Sequence, residues 1–381
     1  MCLVACDGEA TVAACHTPLR PGMTVETDTP RLRALRRDIL ELTLADHAGV
    51  FAPNADGCEL ERWMAALDVT TSAGRATTDT VDASHPYLRF DDDRCITCRR
   101  CLSVCESVQG QFVYGVEGRG ADTKLVFGAD GQFSDSACVA CGACVDVCPT
   151  DAVTDRDRLA ASPATAVTES ICGYCGVGCR VAIATADERV VKIDAVDDAA
   201  VNRGHLCVKG RYAHAYHHSG DRLTTPLRRS ADNGWESIAW EEATAWVAGR
   251  LRSISAEHGP DALGVMTSSR STNEAAYLLQ KLFRSGLGTN NVDCCARVCH
   301  SSTALALQLV TGTGAASASY DDIDHAKTFF LVGSNTAECH PVIFDRILSA
   351  RAAGEDIKVI VLDPRRSPSV QVADLHLDPV P

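Results

Sequence analysis

The first 27 residues, "MCLVACDGEATVAACHTPLRPGMTVET", alternate apolar and polar positions around a Pro-Gly turn and read as small strands. Between residues 30 and 67 the period changes. Leu32, Leu35, Ile39 and Leu42 fall at three- and four-residue steps, which predicts a mostly helical stretch. "TTSAGRATTDTVDASHP" and "RLAASPATAVTES" are polar and aperiodic, as linkers are. After "GWESIAW", short apolar runs ("ALGVMTS", "KTFFLVGSN", "IKVIVLDPRR") alternate with the helical segments "NEAAYLLQKLFRSGLG" and "PVIFDRILSARAAG". That alternation predicts a parallel, doubly wound sheet, whose loops at the strand C-terminal ends are natural nucleotide sites. The chain closes on extended "VADLHLDPVP", with no final helix or polar tail, and reads as one that stops inside a larger protein.

With 46% hydrophobic residues in 381, the chain can bury a sizeable core. A formal charge of -14 argues against nucleic acid, which needs a basic face. No apolar run is long enough for a membrane span, and "MCLVACDGEA" lacks the basic region and apolar stretch of an export signal, so the expected location is the cytoplasm. Twenty cysteines in that compartment point to metal rather than disulfides.

Their spacing narrows the metal. Cys95, Cys98, Cys101 and Cys105 follow C-x2-C-x2-C-x3-C; Cys138, Cys141, Cys144 and Cys148 repeat it, with Pro149 after. This is the bacterial ferredoxin run, in which the fourth cysteine of each group ligates the other cluster. One 4Fe-4S cluster would use Cys95, Cys98, Cys101 and Cys148, and the other Cys138, Cys141, Cys144 and Cys105. The alternative is a pair of zinc sites, although zinc modules favour paired C-x2-C groups separated by a longer insert.

A third group, Cys172, Cys175, Cys179 and Cys207, comes from "CGYCGVGC" and "GHLCVKGR". Here the chain resembles the molybdenum or tungsten bis-pterin guanine dinucleotide oxidoreductases, whose catalytic subunits open with such a four-cysteine domain. The resemblance implies a third 4Fe-4S cluster close to the pterin, with Lys209 between them. A cation there lowers the cost of burying the anionic cluster and pterin.

Within that family "NNVDCCARVCH", Asn290 to His300, resembles the active-site segment of formate dehydrogenases, in the cysteine rather than selenocysteine form. The resemblance makes Cys299 the protein ligand of the metal and His300 its catalytic neighbour. A soft thiolate suits a sulfur-rich metal, and imidazole suits the proton handling of formate oxidation. Cys294 and Cys295 read as small buried hydrophobes. "VGSNTAECHP" and "LDPRRS" resemble loops that hold the pterin guanine dinucleotide. Gly333 would let backbone approach a phosphate, Ser334, Asn335 and Arg365 would donate hydrogen bonds, and Asp363 would take a guanine or ribose edge. Cys339 and His340 are expected to be part of the loop rather than ligands.

The N-terminus resembles the end of a plant-type 2Fe-2S domain, with Cys2 and Cys15 as third and fourth ligands; that cluster is expected only if an upstream segment exists. At "ADHAGVFAPNADGCELERW" relatives often carry His-x3-Cys-x2-Cys-x5-Cys and another cluster. This chain keeps His47 and, with a two-residue deletion, Cys58, while Phe51 and Asn54 replace the middle cysteines. No cluster is expected there, and His47 reads as structural.

The expected order is a 2Fe-2S remnant (1–27), a helical segment and linker (28–84), a two-cluster ferredoxin domain (85–160), a small β four-cysteine domain (165–229) and the first part of an α/β pterin-binding domain (230–381), an α+β and α/β multidomain chain. The resemblance implies a formate dehydrogenase alpha subunit, N-terminal portion, converting formate to CO2 and passing electrons to NAD-reducing diaphorase-type subunits or a ferredoxin-like acceptor. An assimilatory nitrate reductase-like enzyme and a non-catalytic complex I-like electron-transfer subunit are the alternatives.

Overall fold

The structure is a computed structural model that describes residues 2–8, 10–47, 50–70, 77–78, 80–128, 131–156, 163–353 and 356–380. Most of 70–79 and the first part of the second expected linker lie outside the described residues; the rest of that linker enters a strand. Two units are present, one formed by residues 1–214 with 326–381, the other by 215–325.

The first unit opens with β1 (Leu3–Cys6), paired antiparallel with β2 (Ala10–Ala13) and β3 (Val25–Glu26). Helix α1 (Pro30–Ala45) starts where Thr29 Oγ1 accepts the Leu32 amide at 3.1 Å and Pro30 supplies the first residue, both standard helix-start devices. Its buried stripe is Leu32, Leu40 and Leu44, while Ile39 and Leu42 face solvent. The helical period is as predicted, but the buried face is rotated. Helix α2 (Glu59–Ala66) adds Leu60 and Met64 to the same core.

The cysteine-rich segment folds on an antiparallel sheet of β4 (Val81–Asp82), β5 (Leu88–Asp91) and β8 (Val153–Asp155), with β5 central. Between them come α3 (Arg100–Ser107), the hairpin β6 (Tyr114–Glu117) and β7 (Lys124–Phe127), and α4 (Ala143–Val147). Leu88, Phe90, Phe127, Phe133 and Val153 form the core beneath, with Phe127 and Phe133 stacked at 4.6 Å. Pairing of β5 with β8 returns the chain after the second cysteine group to the start of the first, since the Asp91 amide donates to Ala152 O at 2.8 Å. That closure is what lets a cysteine of one group reach the other.

A further antiparallel sheet, β9 (Ala166–Ile171), β10 (Arg180–Ala186) and β11 (Arg189–Ala195), leads to the short helix α5 (Val208–Tyr212). The second unit contains the hairpin β12 (Leu227–Arg229) and β13 (Trp235–Ser237), α6 (Trp240–His258), β14 (Val265–Thr267), α7 (Asn273–Lys281) continuing into a π-helical turn at Leu282–Leu287, β15 (Val292–Cys294), α8 (Ala296–Cys299) and α9 (Ser301–Thr311). The chain then re-enters the first unit with β16 (Thr328–Val332), α10 (Thr336–Cys339), α11 (Pro341–Ala352), β17 (Lys358–Leu362) and β18 (Leu375–Leu377).

The strand–helix alternation predicts one doubly wound sheet. Among the described residues there are instead two parallel sheets, β14–β15 in the second unit and β16–β17–β18 in the first. Alternation dictates parallel pairing of neighbours joined by a helical crossover. It does not dictate that β15 and β16, separated by α8 and α9, also pair. No helix among the described residues is long and apolar enough to cross a membrane.

Candidate functional site

The two C-x2-C-x2-C loops have the same backbone path. In the first, Thr97 and Arg99 adopt positive φ (50° and 63°); in the second, Ala140 and Gly142 stand at the same steps (52° and 77°). Each left-handed residue turns the chain so that amides face the sulfurs, as where the Ala140 amide donates to Cys138 Sγ at 3.3 Å. Cys95, Cys98, Cys101 and Cys148 line one cavity with Phe90, Leu125 and Val153. Cys105, Cys138, Cys141 and Cys144 line another with Leu88, Val113 and Tyr114. The grouping is crossed: each cavity takes three sulfurs from one run and the fourth from the other.

Burial pushes the thiols of Cys95, Cys101 and Cys141 up to about 12, and that of Cys144 well above the usual range. The Thr97 and Ala143 amides oppose the rise at Cys95 and Cys141. Such thiols are inert as free nucleophiles, because they stay protonated at neutral pH. They become thiolates when a metal supplies the compensating charge. Among the described residues no three or more His, Cys, Asp or Glu converge on a single ion.

Cys172, Cys175 and Cys179 occupy the loop between β9 and β10, closed by the Cys172 amide donating to Cys179 O at 2.8 Å. Cys207 precedes α5 and completes the set: burial raises the Cys172 and Cys179 thiols, and each is further affected by Cys207 and Cys175. Lys209, on α5, opposes the rise at Cys172 and donates from Nζ to Glu338 O at 2.8 Å. It thus joins the third cysteine group to the loop that follows β16.

Because β16 and β17 are parallel, the loops after both leave the sheet at one end. Gly333 opens the first with φ 58° and donates its amide to Leu362 O at 2.8 Å. Ser369, fully buried, ties the loops together: its hydroxyl donates to Asn335 Oδ1 at 3.2 Å and accepts the Ala337 amide at 3.0 Å. Ser334 shares a 3.0 Å hydrogen bond with Thr336, and Arg365 is exposed. Asp363 is buried, and its Oδ1 accepts the Arg365 amide at 2.8 Å, shaping its own loop.

In the second unit, Cys299 ends α8 and is exposed, as is His300. Arg297 and Asp293 pair across one turn at 2.7 Å and brace the segment. Cys295 departs from the expected packing role. It is exposed, and its sulfur accepts the Ser269 amide at 3.2 Å and lies 3.2 Å from the Ser269 hydroxyl. Those hydrogen bonds hold its thiol below the usual range. Cys294 is half-buried. Parallel pairing of β14 with β15 produces the change, since it brings the loop after β14 beside the loop after β15.

Residues 222–381 match the family described as Molybdopterin oxidoreductase, and residues 165–219 match the Molybdopterin oxidoreductase Fe4S4 domain. Residues 94–152 match the 4Fe-4S dicluster domain, and residues 1–30 a 2Fe-2S iron-sulfur cluster binding domain. The chain belongs to the molybdopterin oxidoreductases. A Bacillus subtilis protein named "Probable oxidoreductase YjgC" is 30% identical across 99% of this chain and 43% of its own length. A Staphylococcus aureus protein named "Putative formate dehydrogenase SAR2393" is 31% identical across 100% of this chain and 43% of its own. The chain therefore spans 43% of the length of these curated relatives. Among solved structures, a chain of an NAD+-reducing NiFe hydrogenase is 28% identical, with a TM-score of 0.36 over 41% of this chain and 68% of that one.

The residues of this molybdopterin oxidoreductase suit the groups its family implies. Each cysteine cavity offers four soft sulfur donors among mostly apolar walls, and a backbone amide meets one of the sulfurs, which suits a multi-iron cluster. At the paired loops, Ser367 keeps a buried hydroxyl with no partner among the described residues, a donor left for a bound molecule. Cys2 and Cys15 bring their sulfurs to 3.1 Å, both exposed, as β1 and β2 pair.

The degenerate fourth site is filled by packing. Phe51 is 2% exposed, and the Arg94 guanidinium lies over its ring at 4.8 Å. Arg94 also donates to Thr150 O at 2.8 Å and pairs with Glu61 at 3.4 Å, while Cys58 is buried at the start of α2. His47 stands edge-on to Phe51, with ring centres 6.1 Å apart. Phe51→Ala is therefore expected to destabilise the chain by about 3–5 kcal/mol, as loss of a buried ring does, with bound iron unchanged. Denaturant unfolding and iron analysis of the same sample check both halves.

Three functional candidates escape a reading by spacing: Ser269, Ser369 and Arg211. The serines sit in loops without metal-ligand rhythm. Arg211 lies within the quoted "GHLCVKGR", where its identity alone reads as a surface charge.

Proposed function

We propose that this chain is part of a molybdenum- or tungsten-dependent formate dehydrogenase that oxidises formate to CO2 and sends the electrons through three 4Fe-4S clusters. The observation that carries the reading is the exposed Cys299-His300 pair at the end of α8, in a chain that also holds three complete four-cysteine sets. Cys299 would hold the metal through its sulfur. Gly333, Ser334, Asn335, Asp363 and Arg365 are assigned to the bis-molybdopterin guanine dinucleotide. When bound, the metal–pterin group supplies a two-electron acceptor.

Formate loses two electrons and its C–H hydrogen, giving CO2 and one proton. His300, exposed beside Cys299, takes that proton on its ring and passes it to solvent. The three cysteine sets would hold clusters that accept one electron at a time, so the pair would leave in two steps. Lys209 keeps a fixed positive charge against Cys172, where negative charge grows on reduction. The Cys95 and Cys138 groups lead onward, and the assigned acceptor is an NAD-reducing or ferredoxin-like partner. The names of the relatives from Staphylococcus support formate as substrate.

The test is formate-dependent reduction of a viologen dye by the purified protein, alongside molybdenum and tungsten analysis. Dye reduction with formate, and no oxidation of the reduced dye by nitrate, is the expected result. Metal-loaded protein that ignores formate would sink the substrate assignment.

A further inference from the structure

Arg211 is 1% exposed, the most enclosed charge in the described chain, and it touches two cysteine sets at once. Its backbone amide donates to Cys207 O at 3.1 Å. Its side chain donates from Nε to Cys141 O at 3.1 Å. One residue thus links the backbone of a cysteine in the third set to that of a cysteine in the second. The rest of the guanidinium is held by Asp146 on α4 and by Asp194 on β11, the latter at 3.5 Å.

The second loop is shaped around this side chain. Gly142 has φ 77°, but positive φ alone does not demand glycine at that step, because Arg99 holds the equivalent place in the first loop at 63°. What differs is space. A Cβ on Gly142 would overlap the Cδ and Nε of Arg211. The two halves of the ferredoxin repeat therefore diverge at the position that admits the arginine.

Burying a guanidinium is costly, and ion pairs so placed are seldom a net source of stability. The arginine cannot discharge to avoid that cost, since it stays protonated in proteins. A permanent cation beside a cluster favours the reduced, more negative state, and enclosure makes the effect stronger than at the surface. Asp146 and Asp194 offset part of it, but their side chains are 32% and 35% exposed and so better screened.

We propose that Arg211 is the positioning residue that couples the Cys172/Cys175/Cys179/Cys207 cluster to the Cys105/Cys138/Cys141/Cys144 cluster, fixing their spacing and raising the reduction potential of the latter. The inference rests on the cluster assignment above. The step it governs is a one-electron transfer in which one cluster is oxidised as the other is reduced. No bond forms or breaks, and Arg211 moves no proton.

The test needs no substrate. The full chain with reconstituted clusters is titrated with dithionite and followed by electron paramagnetic resonance, and the second cluster's signal is identified by its loss in Cys138→Ala. In Arg211→Gln, the reduced-to-oxidised ratio of that cluster at its wild-type midpoint is expected to fall about tenfold, a shift of about 59 mV for one electron. The first ferredoxin cluster should titrate as in wild type. Arg211→Lys, which keeps the charge but loses the Nε hydrogen bond to Cys141, should fall between, and it supplies the measurement if the glutamine variant does not fold. Wild-type titration of the second cluster in either variant overturns the proposal while leaving the cluster assignment intact. A wild-type chain that binds no iron at these cysteines overturns both.

Discussion

Cys148→Ala is expected to remove the cluster held by Cys95, Cys98 and Cys101 and to leave the one beside Cys138, Cys141 and Cys144 in place. Sequence proximity says the opposite, since Cys148 belongs to the second run. The structure puts it in the cavity of the first, because β8 returns antiparallel along β5 and carries Cys148 back toward Cys95. Iron analysis should show a loss of about four atoms per chain, the content of one cubane. The reciprocal change, Cys105→Ala, should empty the other cavity. Both variants should also lose stability. A cluster bound only by the folded chain contributes its whole binding free energy to folding. Several kcal/mol lost from a unit of this size lowers its thermal midpoint by on the order of 10 °C. Loss of the Cys138-group signal on replacing Cys148, with the Cys95-group signal retained, would establish uncrossed ligation.

The cysteine sets were legible because ligand spacing is local: a C-x2-C step places two sulfurs around one loop wherever that loop lies in the fold. The helix at 30–45 was legible from its period for the same reason. What sequence did not supply was partner identity. Leu40 and Leu44, rather than Ile39 and Leu42, face the core because α2 packs on that side, a long-range fact. Cys295 was expected to be buried because free cysteines commonly are; the loop after β14 instead offers it the Ser269 amide and leaves it exposed. Arg211 was hidden for a related reason. Its meaning comes from Gly142, Asp146 and Cys141, about seventy residues upstream, and only the packed structure brings them to it.

Cys299→Ala should abolish formate-dependent dye reduction while leaving the fold and the iron content unchanged. Cys299 is exposed at the end of α8, outside every buried cluster of the described core, so removing its sulfur creates no cavity. Surface substitutions of that kind stay within about 0.5 kcal/mol. An activity loss is then attributable to chemistry, and molybdenum or tungsten analysis separates a lost ligand from a lost proton path. The alanine variant should bind the metal more weakly or not at all. His300→Gln should retain the metal and lose about 10²–10⁴-fold in rate, the range in which a positioned acid–base group contributes. A Cys299→Ala protein with full metal and full activity would transfer the ligand role elsewhere. Cys295 is then the residue to examine, since its sulfur is exposed on the same segment and its contacts with Ser269, whose amide donates to it, favour the thiolate that a metal requires.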